Sequence, residues 1–135
     1  MRIVVTGQVG TDKKAFLQRV AHFAAQLGFD LPLCNIGDMM YAEAPEVAPG
    51  RILDLPLSHL QSIRRSVFKD VLQLADAKPN VLVNTHATFR WRHGLFAGFD
   101  IDQMQALDAD LYIVLTDNVD RMHYRLVRDG HAEHT

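Results

Sequence analysis

Short apolar runs alternate along this chain with stretches of helical spacing. Ile3, Val4 and Val5 form the first run, and Gly7, Gln8, Val9 and Gly10 follow it. A helix is predicted to open at Lys13, with Ala15, Phe16, Val20, Phe23, Ala24 and Leu27 recurring at helical intervals and Gly28 as its stop. Residues 31–36 read as a second strand, ended by Gly37. Residues 43–56 carry Pro45, Pro49, Gly50 and Pro56 and read as a connection. Helix returns over residues 57–77, where Leu60, Ile63, Val67, Val71 and Leu74 share one face, and Pro79-Asn80 breaks it. Val81-Leu82-Val83 is a continuous apolar run, the pattern of a strand buried on both faces of a parallel sheet. Residues 85–100 read as a long loop carrying Gly94 and Gly98. A short helix near residues 101–107, a fourth strand over 111–115 and a helix over 118–128 complete the pattern. Strand–helix units repeated with short connections predict an α/β fold, a parallel sheet with helices on both faces.

Composition narrows the partners. The chain has 135 residues, within the range of a single domain. Its net charge of −2 leaves no basic footprint for nucleic acid. No apolar run reaches the roughly 20 residues that span a bilayer, and residues 1–20 lack the pattern of a signal peptide. The lone Cys34 excludes an internal disulfide and suits a reducing compartment, so the expected location is cytoplasmic, with no membrane partner.

The chemistry concentrates at strand ends. Residues 7–14 follow a strand and precede a helix, in the order of the phosphate-binding loop G-x-x-x-x-G-K-[ST]. Gly7 and Lys13 stand where that pattern places them. Asp12 takes the place of the second glycine, and Lys14 that of the hydroxyl residue. Asn84-Thr85-His86 and Thr116-Asp117 end two further strands, and parallel sheets bind ligands beyond the carboxyl ends of their strands. On residue type alone several readings stay open. Thr11 or Asp12 could simply cap a helix, Lys13-Lys14 and Arg64-Arg65 could be solvated charge, and His86 could cap its strand. Arg90-Trp91-Arg92-His93 reads as an exposed loop, an insertion near an adenine pocket, or a stacking surface for nucleic acid. His131, Glu133 and His134 read as a loose terminus or a chance metal site. Cys34 has no nearby base and reads as a small buried hydrophobe, and Asp108 and Asp110 as turn residues.

Three stretches in order carry a family resemblance: residues 7–14; Asn35-Ile36-Gly37-Asp38-Met39-Met40; and Val81-Leu82-Val83-Asn84-Thr85-His86-Ala87-Thr88, through Gly94-Leu95-Phe96-Ala97-Gly98 and Asp110-Leu111-Tyr112-Ile113-Val114-Leu115, to Arg125-Leu126-Val127-Arg128-Asp129. With these the chain resembles the archaeal-type adenylate kinases, a branch of the P-loop nucleoside monophosphate kinases. The resemblance implies a three-layer P-loop fold and transfer of the γ-phosphoryl of ATP to a monophosphate, AMP by analogy. It places Gly7, Gln8, Val9, Gly10, Thr11, Asp12, Lys13 and Lys14 around the ATP phosphates. Lys13, Arg125 and Arg128 become the catalytic cations, joined by Arg121. Gly37, Arg64 (or Arg65), His86, Thr88 and Gly94 become the acceptor site. Residues 1–135 would be one nucleotide-kinase-like domain, with 36–80 as its monophosphate-binding helical region. The family continues past Arg-Asp into a lid, a fifth strand and a final helix. By that comparison the chain is C-terminally incomplete, lacks the last strand, and leaves 111–115 as a sheet edge that a homodimer or an additional domain would cover.

Three departures bear on magnesium. Asp12 puts a carboxylate into an anion-binding loop, and at about 5 Å from a phosphate oxygen an effective dielectric of 20 gives about 3 kcal/mol of repulsion. Lys14 removes the hydroxyl ligand of the metal, and Asn84 stands where the family has a strand-end aspartate. The resemblance therefore implies two readings: a kinase, or a catalytically impaired module for binding nucleotide or protein.

Overall fold

A computed structural model describes residues 1–8, 11–91 and 94–128. The readings made for Val9, Gly10, Arg92, His93, Asp129, His131, Glu133 and His134 lie outside the described residues, as do the side chains of Arg90 and Trp91. The elements are β1 (Arg2–Gly7), α1 (Lys13–Gln26), β2 (Leu33–Asn35), α2 (Ile36–Glu43), a 3-10 turn (Ile52–Asp54), α3 (Leu57–Ala77), β3 (Val81–Asn84), β4 (Thr88–Trp91), β5 (Gly94–Ala97), α4 (Ile101–Leu107), β6 (Leu111–Leu115) and α5 (Val119–Arg128).

Four strands form one sheet in the order β2-β3-β1-β6, every pair parallel. Alternation of side chains sorts the strand residues onto two faces. Val4, Val81 and Val83 join the larger core with Val67, Val71, Met104 and Leu107 of α3 and α4. Val5 and Leu82 join Leu17 of α1 on the other side. The middle strands β1 and β3 are therefore covered on both faces, as predicted, and Val4, Val5, Val81, Leu82 and Val83 are apolar because neither face meets water there.

The stripe predicted on α3 is buried: Leu60, Ile63, Val67 and Val71 are inside, with Leu74 partly covered. Arg64 lies on the same face, four residues after Leu60 and three before Val67, and is buried with them. The stripe predicted on α1 differs. Leu17 is its buried apolar residue, whereas Phe16, Phe23 and Leu27 are exposed. The helix lies against β2 and β3, and these three side chains lie off that contact face. Gly28 ends the helix as predicted, with φ 77, while Phe29 N donates to Ala24 O at 2.8 Å in a 6→1 cap.

Residues 85–100 are not a plain loop. They hold an antiparallel hairpin, β4–β5, in which Thr88 pairs with Ala97 and Trp91 with Gly94. Its cross-strand pair Phe89–Phe96, with ring centroids 6.3 Å apart, ties the hairpin to the core. At Gly98 the hairpin returns so close to β3 that an added Cβ would sit 2.0 Å from the His86 carbonyl oxygen. The predicted second strand is shorter than 31–36, since Ile36 already opens α2.

β6 lies at the sheet's edge. Leu111, Tyr112, Ile113 and Val114 are all exposed, Val114 at 68%. Their partners in β1 show the contrast, since Val4 and Val5 are fully buried. The edge anticipated from the sequence is thus present among the described residues, with both faces of the strand open.

Candidate functional site

The loop after β1 turns sharply. Thr11 Oγ1 donates to Gln8 O at 2.9 Å, and Thr11 N donates to the same oxygen. Gly7 has no room for a side chain, because a Cβ would meet Leu115 O at 2.8 Å and the Lys13 side chain at 3.3 Å. Asp12 has φ 58 and ψ 38, the left-handed conformation that suits glycine, and its side chain makes no cap bond to α1. Aspartate enters this region more readily than most side chains, so Asp12 takes up a conformation that glycine would adopt without strain. Of the two readings of residues 11–12, an ordinary side-chain helix cap is not what forms.

Lys13 points inward. It is 5% exposed, and its Nζ lies 3.0 Å from His86 Nδ1 at the end of β3. Desolvation by burial lowers its pKa to about 8. His86 Nδ1 is also 3.2 Å from the Gly7 carbonyl. One nitrogen cannot both accept from a lysine ammonium and donate to a carbonyl, so a charged Lys13 requires His86 neutral with its proton on Nε2. The His86 pKa falls to about 4, chiefly by desolvation and further by the Lys13 charge, against the Gly7 contact, which raises it.

Beside this pair a cavity of about 300 Å³ opens beyond the ends of β2 and β3, a volume suited to a small ligand. Its polar lining comes chiefly from Lys14, Asp38, Arg64, Asn84 and His86, and its apolar walls include Met40, Leu60 and Phe89. Arg64 is 8% exposed, donates from Nη1 to Ala97 O at 3.0 Å, and lies over the Phe89 ring at 5.9 Å. Its Nε is buried with no hydrogen-bond partner among the described residues. Burial lowers the Arg64 pKa, countered by the Asp100 carboxylate. A guanidinium nonetheless stays charged, so the cavity wall carries a fixed positive charge at Arg64. Arg65 is paired with Asp100 at 3.0 Å and does not line this cavity.

Of the acceptor residues expected from the sequence, Gly37, Arg64 and His86 line the cavity. Thr88 and Gly94 do not; they sit on the hairpin, Gly94 at its turn with φ +148. Arg125 is held at the end of β6 by Asp117, Nη1 to Oδ2 at 2.6 Å, and Arg128 is exposed a turn further along α5; neither lines the cavity. Sequence reasoning missed Tyr41 and Phe89. Tyr41 OH accepts from Ile52 N and ties the 43–56 connection to α2. Phe89 is the apolar residue of the hairpin on which Arg64 rests, and its alternation with Thr88 and Arg90 was the available signal. Cys34 is buried, and burial raises its thiol pKa, as expected of an unreactive small hydrophobe.

The side chains present do not fit a magnesium ion. Lys14 Nζ is 2.8 Å from Asp38 Oδ2, so the one carboxylate of the cavity lining already has a cation. Asn84 Nδ2 donates to Asn35 Oδ1 at 2.8 Å, a neutral amide pair where a strand-end carboxylate was expected. A divalent ion about 4 Å from the Lys14 ammonium would be repelled by about 8 kcal/mol at an effective dielectric of 20. Among the described residues no group of three or more His, Cys, Asp or Glu side chains could hold a metal.

A family model described as "AAA domain" matches residues 6–134. The adenylate kinase of Pyrococcus furiosus is 26% identical over 131 residues, which cover 94% of this chain and 65% of the relative. The adenylate kinase of Methanopyrus kandleri is 26% identical over 100 residues, covering 71% of this chain and 52% of the relative. A shikimate kinase from Bacteroides thetaiotaomicron superposes with a TM-score of 0.62 at 17% identity, covering 94% of this chain and 63% of that one, a likeness of fold. The chain spans about 65% of the length of the Pyrococcus relative. No helix of the described residues is long and apolar enough to cross a membrane.

Proposed function

From the premise that the chain belongs to the AAA-domain family and is adenylate-kinase-like, we propose that it binds ATP at residues 7–14 and a nucleoside monophosphate, AMP by preference, in the cavity beside them. The observation that carries this reading is Arg64. A guanidinium set into the wall of the cavity, together with Lys14 and His86, suits a phosphate monoester that would accept charge-assisted hydrogen bonds from it. In the kinase reading a phosphate oxygen of the acceptor attacks the γ-phosphorus, and the bond to the β-phosphate oxygen breaks, releasing ADP. Lys13, and Arg125 and Arg128 from α5, neutralise the charge that develops, since phosphoryl transfer needs positioning and electrostatics above all. A cytoplasmic setting belongs to the same reading.

The test is AMP binding by calorimetry to the wild type and to Arg64→Gln. Loss of at least about 30-fold in affinity is expected, as a buried charged hydrogen bond is worth roughly 2 kcal/mol or more. An unchanged affinity would remove Arg64 from the acceptor site. The neutral Asn84–Asn35 pair favours a second reading, a module that binds nucleotide without turnover. A coupled ADP assay over several monophosphates separates the two.

The open edge calls for a cover. We propose a second copy of the chain against β6, whose Leu111, Tyr112, Ile113 and Val114 are exposed at the sheet edge. Sedimentation at micromolar concentration should give a dimer, and a monomer there would count against it.

A further inference from the structure

We propose that Lys14 is the cation of this phosphate site, so that the chain binds nucleotide without magnesium. The inference rests on the nucleotide reading above and adds to it the source of the neutralising charge. Lys14 follows Lys13 on the first turn of α1, yet the two ammonium groups diverge. Lys13 turns inward to His86, whereas Lys14 stays half-exposed, lines the cavity with Arg64, and is held by Asp38 from the first turn of α2. Lys14 therefore joins the end of the loop to the lining of the cavity, within reach of a phosphate bound at either. A flexible four-carbon stem lets its ammonium leave the exposed Asp38 carboxylate for a nucleotide phosphate, because an exposed ion pair is weak and phosphate offers more charge. The same ammonium repels a divalent ion, and the Asn84–Asn35 amides offer that ion no negative charge in return. Asp38 then acts as the resting partner that keeps Lys14 aimed into the site while it is empty.

The experiment is ATP titration by calorimetry in EDTA and in excess magnesium, on the wild type, Lys14→Gln and Asp38→Asn. Wild-type affinity should be at least about tenfold weaker in excess magnesium than in EDTA, because magnesium holds the ATP in a complex that the Lys14 charge repels. Lys14→Gln should lose at least about tenfold in EDTA and recover part of it in magnesium, because the repelling charge is gone. Asp38→Asn should tighten binding in EDTA by up to about fivefold, having released Lys14 from a competitor. A half-exposed lysine with a merely structural role would not produce that reversal of magnesium dependence. Wild-type binding that is as tight or tighter with magnesium, with Lys14→Gln unaltered, would overturn the role of Lys14 and leave the nucleotide reading intact. No ATP binding under either condition would overturn both.

Discussion

Replacing Lys13 by methionine should strengthen the fold and abolish ATP binding at once. Lys13 is 5% exposed, and burial lowers its pKa from 10.5 to about 8. Holding it protonated at pH 7 therefore costs about 3 kcal/mol, part of which its contact with His86 returns. Methionine has a similar stem and no charge to desolvate, so chemical denaturation at pH 7 should show a gain of about 2 kcal/mol. The pH dependence has a definite sign. Between about 8 and 10.5 the unfolded chain holds a proton on Lys13 that the folded chain has released, so wild-type stability rises with pH across that window. The variant should be flat there. The rise in melting temperature that ATP gives the wild type should vanish, since the ammonium nearest the loop is gone. A variant that is destabilised, or one still stabilised by ATP as strongly as the wild type, would show that Lys13 is an ordinary core lysine.

Acid should open the same pair. His86 has a folded pKa of about 4 against 6.5 in its ordinary state. The unfolded chain then binds the extra proton between pH 6.5 and 4, so the contribution of His86 is intact above 6.5 and is lost as pH falls toward 4. The loss amounts to at most about 3 kcal/mol, from 1.36 kcal/mol per pKa unit. The groups facing the imidazole are the Lys13 ammonium and the Gly7 carbonyl, and only the first repels a protonated ring. Urea denaturation at steps from pH 7 to 4 should show this slope in the wild type, and His86→Gln should flatten it. Asp100 and Asp117, whose pKa values are lowered first by the Gln103 amide and the Arg125 guanidinium respectively, lose their contributions only below the ordinary carboxylate range. A wild-type slope that survives in His86→Gln would assign acid sensitivity to other groups.

How much of this could be read from residues alone varies from element to element. The α3 stripe and the Val81-Leu82-Val83 strand were legible because a helix period and an apolar run persist whatever surrounds them. Arg64 was half legible. It lies at the spacing of Leu60 and Val67, which points it inward, but two adjacent arginines are ambiguous until the Arg65–Asp100 pair is seen. The α1 stripe was misread in part, because an apolar helix face states what would be buried and not what is there to bury it. The hairpin at 88–97 was missed because its four-residue strands are too short for alternation to stand out from a glycine-bearing loop.

The sequence by itself determined the strand–helix alternation, the loop at residues 7–14, the glycine at its entry, and the family to which these belong. Those are local matters, set by side-chain size, periodicity and backbone freedom over a few residues. The tertiary structure alone decided which cation does what. It joined Lys13 to His86 across 73 residues, set Lys14 against Asp38, and left the Nε of Arg64 unfilled. Such pairings depend on the parallel register that brings the ends of β1 and β3 side by side, and on helices packed over those ends. Charge and desolvation act over a few ångströms of space, and distance in space is what only the fold supplies.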